Sequence, residues 1–173
     1  MTRILLLSIF IALSSISTAQ TDDRGYVVKV GDQMPELTLK LTDGTELAPS
    51  DLKGKVTLLQ FTASWCGVCR KEMPHLEKEV WQIYKDHPDF VMVGIDLDEP
   101  IEKVISFGEA VGVTYPLAID PGGAIFHKFA AEKAGVTRNI ICDSSGKIVF
   151  LTRLYEEKEF EAMKAELANQ LSE

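Results

Sequence analysis

Two cysteines, Cys66 and Cys69, stand three positions apart, directly after an apolar run over residues 56–61. If a helix begins at the first cysteine, this offset places both sulfurs on one side of its first turn, close enough to form a small disulfide ring. Cys66 would lie at the helix N-terminus, where free N–H groups and the positive dipole end favour thiolate over thiol. Cys69 would lie one turn deeper, partly shielded. Such an attacking and resolving pair predicts thiol–disulfide exchange.

The first nineteen residues have the pattern of a cleavable secretory signal. Arg3 supplies a positive start, residues 4–13 form an apolar stretch, and small residues occupy 17–19 before Gln20. The stretch is shorter than a membrane span, although an uncleaved anchor is the alternative. The absence of a cysteine at the cleavage point argues against a lipid-modified lipoprotein. We therefore predict a signal over 1–19, no stable membrane insertion after cleavage, and export of the remainder.

Composition limits the function classes that are open to the mature chain. Loss of Arg3 with the signal leaves 17 basic against 26 acidic residues, a net charge of about −9, which argues against nucleic acid as a partner. The remaining 154 residues suffice for one domain with its own core. Three cysteines are too few for a disulfide scaffold. Cys66 and Cys69 are thus free to react, and Cys142, within an apolar strand, is predicted to be a buried core thiol.

The hydrophobic pattern predicts one α/β domain over 31–173, preceded by an N-terminal lead-in over 20–30. Periodicity and run length predict strands over 36–41, 56–62, 90–95 and 115–119, followed by a hairpin whose turn is 143–147. Helices are predicted from 66 to about 86 with a kink at Pro74, then over 100–111, 123–133 and 156–171.

The chain resembles the TlpA/ResA group of exported thioredoxin-like proteins, within the redoxin superfamily. The resemblance extends from Gly31 to the last helix and is most specific at residues 61–74, FTASWCGVCRKEMP. It implies a thioredoxin fold, a central mixed β-sheet flanked by helices. It also implies a periplasmic thiol–disulfide oxidoreductase that reduces disulfides of exported partner proteins and is fed by a membrane-bound electron donor. No cofactor beyond the cysteines is implied.

The resemblance assigns roles residue by residue. Cys66 matches the nucleophile and Cys69 the resolving cysteine, while Trp65 matches an aromatic residue that packs beside the pair. The two residues between the cysteines, Gly67 and Val68, would contact substrate together with Trp65. Glu72 matches an acidic residue near the active site and lies about one helical turn beyond Cys69, within reach for proton exchange. A solvated surface glutamate is the alternative interpretation of Glu72.

Two departures from the family pattern concern the site. Gln60 stands where thioredoxin has a buried aspartate, and it can form hydrogen bonds but cannot take a proton. Thr137 follows Gly135-Val136 where the family places a cis-proline. Because a non-proline cis bond costs about 3 kcal/mol, we predict a trans peptide with Thr137 still facing the cysteines. Val136, Thr137 and Arg138 would form the substrate-binding loop, with Arg138 offering charge to an anionic partner or to a thiolate.

Two other classes compete with this prediction. A copper carrier would need a metal-binding histidine, but His75 is predicted to point away from Cys66, and the other two histidines to be surface or packing residues. No metal site is therefore predicted. A thiol peroxidase of the redoxin superfamily would need a threonine or serine three before its cysteine and a proline four before that, where this chain has Ala63 and Leu59. The acidic residues at 96 and 98 are predicted to lie in a solvated loop.

Overall fold

The computed structural model describes residues 24–172, so the predicted signal over 1–19 lies outside the described residues. The strands are Leu39–Leu41 (β1), Glu46–Leu47 (β2), Val56–Thr62 (β3), Phe90–Leu97 (β4), Leu117–Asp120 (β5), Arg138–Cys142 (β6) and Ile148–Leu151 (β7). The α-helices are Pro49–Leu52 (α1), Gly67–Leu76 (α2), Gln82–Tyr84 (α3), Ile101–Val111 (α4) and Glu157–Leu171 (α5). Within 24–172, no helix is both long enough and apolar enough to cross a membrane.

The strands form one mixed sheet in the order β2-β1-β5-β4-β3-β6-β7. The inner pairs β3–β4 and β4–β5 are parallel, whereas β3–β6, β6–β7, β1–β5 and β1–β2 are antiparallel. Every residue of β3 is buried, as expected for a central strand covered on both faces. The predicted mixed sheet flanked by helices is confirmed, and the end of β3 is where the cysteine pair begins.

Helix α2 follows β3 after four connecting residues and continues beyond its own end. A π-helical segment, Glu77–Trp81, and then α3 prolong it to Tyr84. Pro74 lies inside α2 and has no N–H to donate to the preceding turn. The C-terminal end of α2 packs against the start of α5. The His75 ring stacks on that of Tyr155, just before α5, at 5.0 Å between centroids, and lies edge-on to Phe160 of α5 at 6.1 Å.

The predicted helix over 123–133 is wrong. Two short 3-10 turns, Pro121–Gly123 and Phe126–Lys128, take its place. Gly122 and Gly123 adopt φ of 70° and 69°, values that end a right-handed helix. Two aromatic side chains of this segment, Phe126 and Phe129, are nonetheless buried. The ring of Phe126 packs edge-on against Phe61 of β3 at 5.4 Å.

The prediction that Asp96 lies in a solvated loop is also wrong. Strand β4 runs two residues further than the apolar pattern indicated, so Asp96 is part of the sheet and fully buried. Asp98, just beyond the strand, is exposed as predicted. Strand β1 is shorter than predicted, and β5 begins two residues later.

Candidate active site

Cys66 and Cys69 are joined by a disulfide with their Cα atoms 5.3 Å apart. Cys66 is the N-cap residue of α2, and its Sγ accepts a hydrogen bond from the backbone N–H of Cys69 at 3.2 Å. Cys69 is completely buried, whereas Cys66 retains 8% of its surface. The helix begins where predicted, and Cys69 is the more buried cysteine, as predicted. Cys66 is itself mostly buried, so only a small part of it can be reached from solvent.

Thr137 is the residue directly before β6, and its side chain faces both sulfurs. Its Oγ1 lies 3.1 Å from the Sγ of Cys66 and 3.2 Å from that of Cys69. Thr137 and Val136 are both buried. The described residues contain no cis peptide bond, so the predicted trans geometry and the predicted orientation of Thr137 are confirmed.

Glu72 is buried beneath the cysteine pair, with 1% of its surface exposed. The alternative of a solvated glutamate is therefore wrong. Its carboxylate accepts hydrogen bonds from Asn139 Nδ2 at 2.7 Å and from Gln60 Nε2 at 3.2 Å. Burial raises the pKa of Glu72 to about 7, although the hydrogen bonds from Asn139 and Gln60 oppose the rise. This carboxyl group can therefore both take up and release a proton near neutral pH.

The sheet places the two amides that hold Glu72. Gln60 in β3 and Asn139 in β6 are directly paired across the antiparallel register. Gln60 Oε1 accepts from the hydroxyl of Tyr115 at 2.7 Å, and Thr152 Oγ1 accepts from Asn139 Nδ2 at 3.0 Å. Both amides are thus oriented by further hydrogen bonds. Asn139 and Tyr115 were not among the predicted site residues, and the available signal for Asn139 was a polar residue within an apolar strand.

Three of the predicted site residues form the outer rim of the pair. Trp65 is 63% exposed, so it presents its ring to solvent rather than packing tightly beside the disulfide. Gly67 is exposed and Val68 partly buried. Trp65 also lines a groove of about 300 Å³ with Asp98 and His127. These residues lie on the solvent side of the end of α2 that carries the sulfurs, and contact with a substrate stays a prediction for them.

The prediction that Arg138 offers its charge to a partner is wrong. Arg138 is fully buried, and its guanidinium lies 4.3 Å from the centroid of the Tyr26 ring. Its Nη2 donates to the carbonyl of Arg24 and its Nε to that of Gly135. Arg138 therefore ties the N-terminal segment to β6, and its effect on a thiolate stays a prediction.

Cys142, the third cysteine, is a free thiol within β6 and is completely buried. Burial raises the pKa of its thiol to about 12, so it stays protonated and unreactive at neutral pH. The prediction of a buried core thiol is confirmed.

Comparison with known proteins agrees with this geometry. The Redoxin family model matches residues 29–171. The chain belongs to the Redoxin family. Within that family it is similar to the thiol-disulfide oxidoreductase ResA of Geobacillus thermodenitrificans, with 28% identity over 86% of this chain and 83% of the relative. ResA of Bacillus thuringiensis is 30% identical over 70% of this chain and 68% of its own length.

A solved structure extends the likeness to three dimensions. A Bacteroides thetaiotaomicron protein, proposed to be a protein disulfide isomerase, superposes with a TM-score of 0.84 and 54% identity over 86% of this chain and 94% of its own. This redoxin thus has a thioredoxin-like fold. It is a thiol–disulfide oxidoreductase of the ResA type whose redox pair is Cys66 and Cys69.

Proposed function

We propose that this redoxin is exported to the periplasm and reduces disulfides of exported partner proteins. Cys66 acts as the attacking sulfur and Cys69 as the resolving one. The observation that carries the assignment is the unequal burial of the two sulfurs at one helix end, with 8% of Cys66 but none of Cys69 exposed. An incoming sulfur can therefore approach Cys66 only, while Cys69 reacts from inside the protein.

The start of α2 prepares Cys66 for attack. The backbone N–H of Cys69 points at the Cys66 sulfur, and the positive end of the helix dipole favours a negative charge there. The Cys66 thiolate attacks one sulfur of the partner disulfide, and the partner's other sulfur leaves with the electron pair and takes a proton from water. The product is a mixed disulfide between Cys66 and the partner.

The second step uses Cys69 and Glu72. Cys69 must lose its proton before its sulfur can attack that of Cys66 and release the partner. Glu72 lies three residues further along α2, one helical turn away, and is buried on the same helix as Cys69. With a pKa near 7, its carboxylate is the group that takes this proton. A membrane-bound electron donor then returns two electrons to the Cys66–Cys69 disulfide.

Partner binding is assigned to the rim around Cys66. Trp65 supplies exposed aromatic surface, and Gly67 and Val68 flank the sulfur without covering it. On the opposite side, Val136 and Thr137 form the loop in front of the disulfide. An extended partner segment would lie between these two sides and present its disulfide to Cys66.

Export and the reducing direction rest on different support. The signal pattern over residues 1–19 supports export. The names of the ResA relatives support thiol–disulfide exchange, and the resemblance to exported reductants supports the direction. No cofactor is required, since the two sulfurs carry both electrons.

Trapping of a mixed disulfide tests the roles of the two cysteines. A Cys69→Ser variant has no resolving sulfur, so it should accumulate a covalent complex with a disulfide-containing protein, visible on non-reducing gels. Cys66→Ser is the matched control and should trap nothing, and both are made with Cys142→Ser to exclude the third thiol. Trapping through Cys69 in the Cys66→Ser protein would contradict the assignment.

The reduction potential of the Cys66–Cys69 couple tests the direction. A reductant should equilibrate at a potential near that of thioredoxin, about −270 mV, whereas a value near that of DsbA, about −120 mV, identifies an oxidant. Equilibration with glutathione or dithiothreitol buffers, followed by alkylation and mass analysis, gives the value.

A further inference from the structure

Thr137 places a single buried hydroxyl between the two sulfurs of the redox pair. Its Oγ1 is 3.1 Å from Cys66 Sγ and 3.2 Å from Cys69 Sγ, and the residue is 2% exposed. A hydroxyl carries one proton and two lone pairs, so it can donate to one sulfur and accept from the other at the same time. The proline that the family pattern has at this position offers only carbon there.

We propose that Thr137 is a catalytic residue of the exchange reaction. In the reduced protein, its O–H donates a hydrogen bond to the Cys66 thiolate while its Oγ1 accepts one from the Cys69 thiol. This assignment rests on the proposed function, because it describes a role within the Cys66–Cys69 exchange.

The physical reason is the scarcity of water around Cys66. A thiolate with 8% of its residue surface exposed has lost most of its hydration and needs protein donors instead. The Cys69 N–H is one such donor, at 3.2 Å. The Thr137 hydroxyl is a second, from the other side of the sulfur. Hydrogen bonds to an ionised acceptor are stronger than neutral ones, so the form with one thiolate and one thiol is stabilised.

The hydroxyl serves both steps without moving its oxygen. When the Cys66 thiolate attacks the partner, a new S–S bond forms and the partner's leaving sulfur takes a proton from water, so the charge on Cys66 disappears. The Thr137 O–H then turns to Cys69, whose thiol proton passes to Glu72. The Cys69 thiolate attacks the Cys66 sulfur, the S–S bond between Cys66 and the partner breaks, and the protein disulfide forms again. The partner's second sulfur leaves with the electron pair and takes a proton from water, so both partner sulfurs are reduced. Thr137 keeps its own proton throughout.

The charged groups around Thr137 stay in place when only its hydroxyl is removed. Glu72 faces the site from α2. Arg153, after β7, reaches the Thr137 carbonyl with its Nη1 at 3.5 Å, and Arg138 in β6 is held over the Tyr26 ring. Valine has the shape of threonine but no hydroxyl, so Thr137→Val isolates the hydrogen bond.

The test is a pH titration of the reduced, partner-free protein. Two readouts monitor it: the ultraviolet absorbance of the thiolate and the rate at which iodoacetamide alkylates Cys66. Loss of one charge-assisted hydrogen bond in Thr137→Val should raise the pKa of Cys66 by about one unit and slow alkylation below that pKa about tenfold. Thr137→Ser keeps the hydroxyl and should behave like the wild type. The reduction potential of Thr137→Val should become more negative, because the reduced form has lost stabilisation.

An unchanged or lowered Cys66 pKa in Thr137→Val overturns the proposal, and so does an equal rise in Thr137→Ser, which would implicate side-chain shape. If Thr137→Val fails to fold, Thr137→Ala and Thr137→Ser give the same comparison. These titrations need no partner. A chain that showed the expected shifts but trapped no partner through Cys66 would therefore contradict the proposed function, while the hydrogen bond from Thr137 to the Cys66 thiolate would stand.

Discussion

Asn139 donates a hydrogen bond from Nδ2 to Oε1 of Glu72 over 2.7 Å, although the two residues are 67 positions apart in the chain. Each of the two residues exposes only 1% of its surface to solvent. The contact gives a buried carboxylate a fixed donor beside the redox pair. The acid–base behaviour of Glu72 therefore depends on a residue of strand β6 as much as on its own helix.

Replacement of Glu72 should remove the pH dependence of the step in which Cys69 attacks Cys66. Glu72 has a pKa near 7 and acts as a base when ionised, so the wild-type rate should rise with pH through an inflection near 7. Glu72→Gln should lose that inflection and resolve at least about tenfold more slowly at pH 8. The measurement is single-turnover release of a chromogenic thiol from a mixed disulfide on Cys66. A wild-type profile in this variant would exclude Glu72 as the base.

Loss of the Asn139 amide should move the same inflection to higher pH. The hydrogen bond from Asn139 lowers the pKa of Glu72 against the effect of burial, so Asn139→Leu should raise that pKa above its wild-type value. The unpaired carboxyl oxygen should also reduce the free energy of unfolding by about 1–3 kcal/mol. The control is Asn139→Leu combined with Glu72→Gln, in which the pH shift should vanish. A shift that persisted in the double variant would assign the effect to another group.

Asp96 should make the protein less stable as pH rises. Burial, together with the neighbouring Glu99 carboxylate, raises the pKa of Asp96 from 3.8 to about 7. The folded state therefore holds this proton more tightly than the unfolded state, and the stabilisation is lost as pH rises from about 4 to about 7. Asp96→Asn should exceed the wild type in free energy of unfolding by about 1–3 kcal/mol at pH 8 and by less at pH 5.

Urea denaturation at several pH values measures this difference for Asp96→Asn. The exposed neighbour Asp98 provides the control, since Asp98→Asn removes a carboxylate that is not buried in the sheet and should not reproduce the gain in stability at pH 8. Equal free energies of unfolding for Asp96→Asn and the wild type at pH 8 would contradict this prediction. Other interactions in the fold would then stabilise the buried, ionised carboxylate.

Trp65 should affect reaction with proteins but not with small thiols. Its ring is 63% exposed at the rim of the pair, and exposed aromatic residues are frequent anchors of protein interfaces. Trp65→Ala should lower kcat/KM for a disulfide-containing protein about tenfold and leave the rate of reduction by dithiothreitol unchanged. If the reaction with the protein and the reaction with dithiothreitol slowed equally, Trp65 would instead support the geometry of the disulfide.

Local pattern alone was sufficient for the cysteine pair itself. The three-residue offset of Cys66 and Cys69 after an apolar strand fixed the helix start, the disulfide and the order of burial, because all three depend on residues within one turn. The orientation of Thr137 toward the sulfurs followed from the family resemblance. The principal strands and long helices were similarly predictable from period and run length, since each buries one continuous apolar surface.

What the sequence could not supply depends on contacts between distant strands. The burial of Glu72 required β3 and β6 to pair so that Gln60 and Asn139 meet beneath it. Arg138 was misjudged because its guanidinium is buried against Tyr26, 112 positions earlier. A charged side chain has the same sequence pattern whether it faces solvent or a buried partner, and only the tertiary structure, which sets its hydration and its hydrogen bonds, decides which.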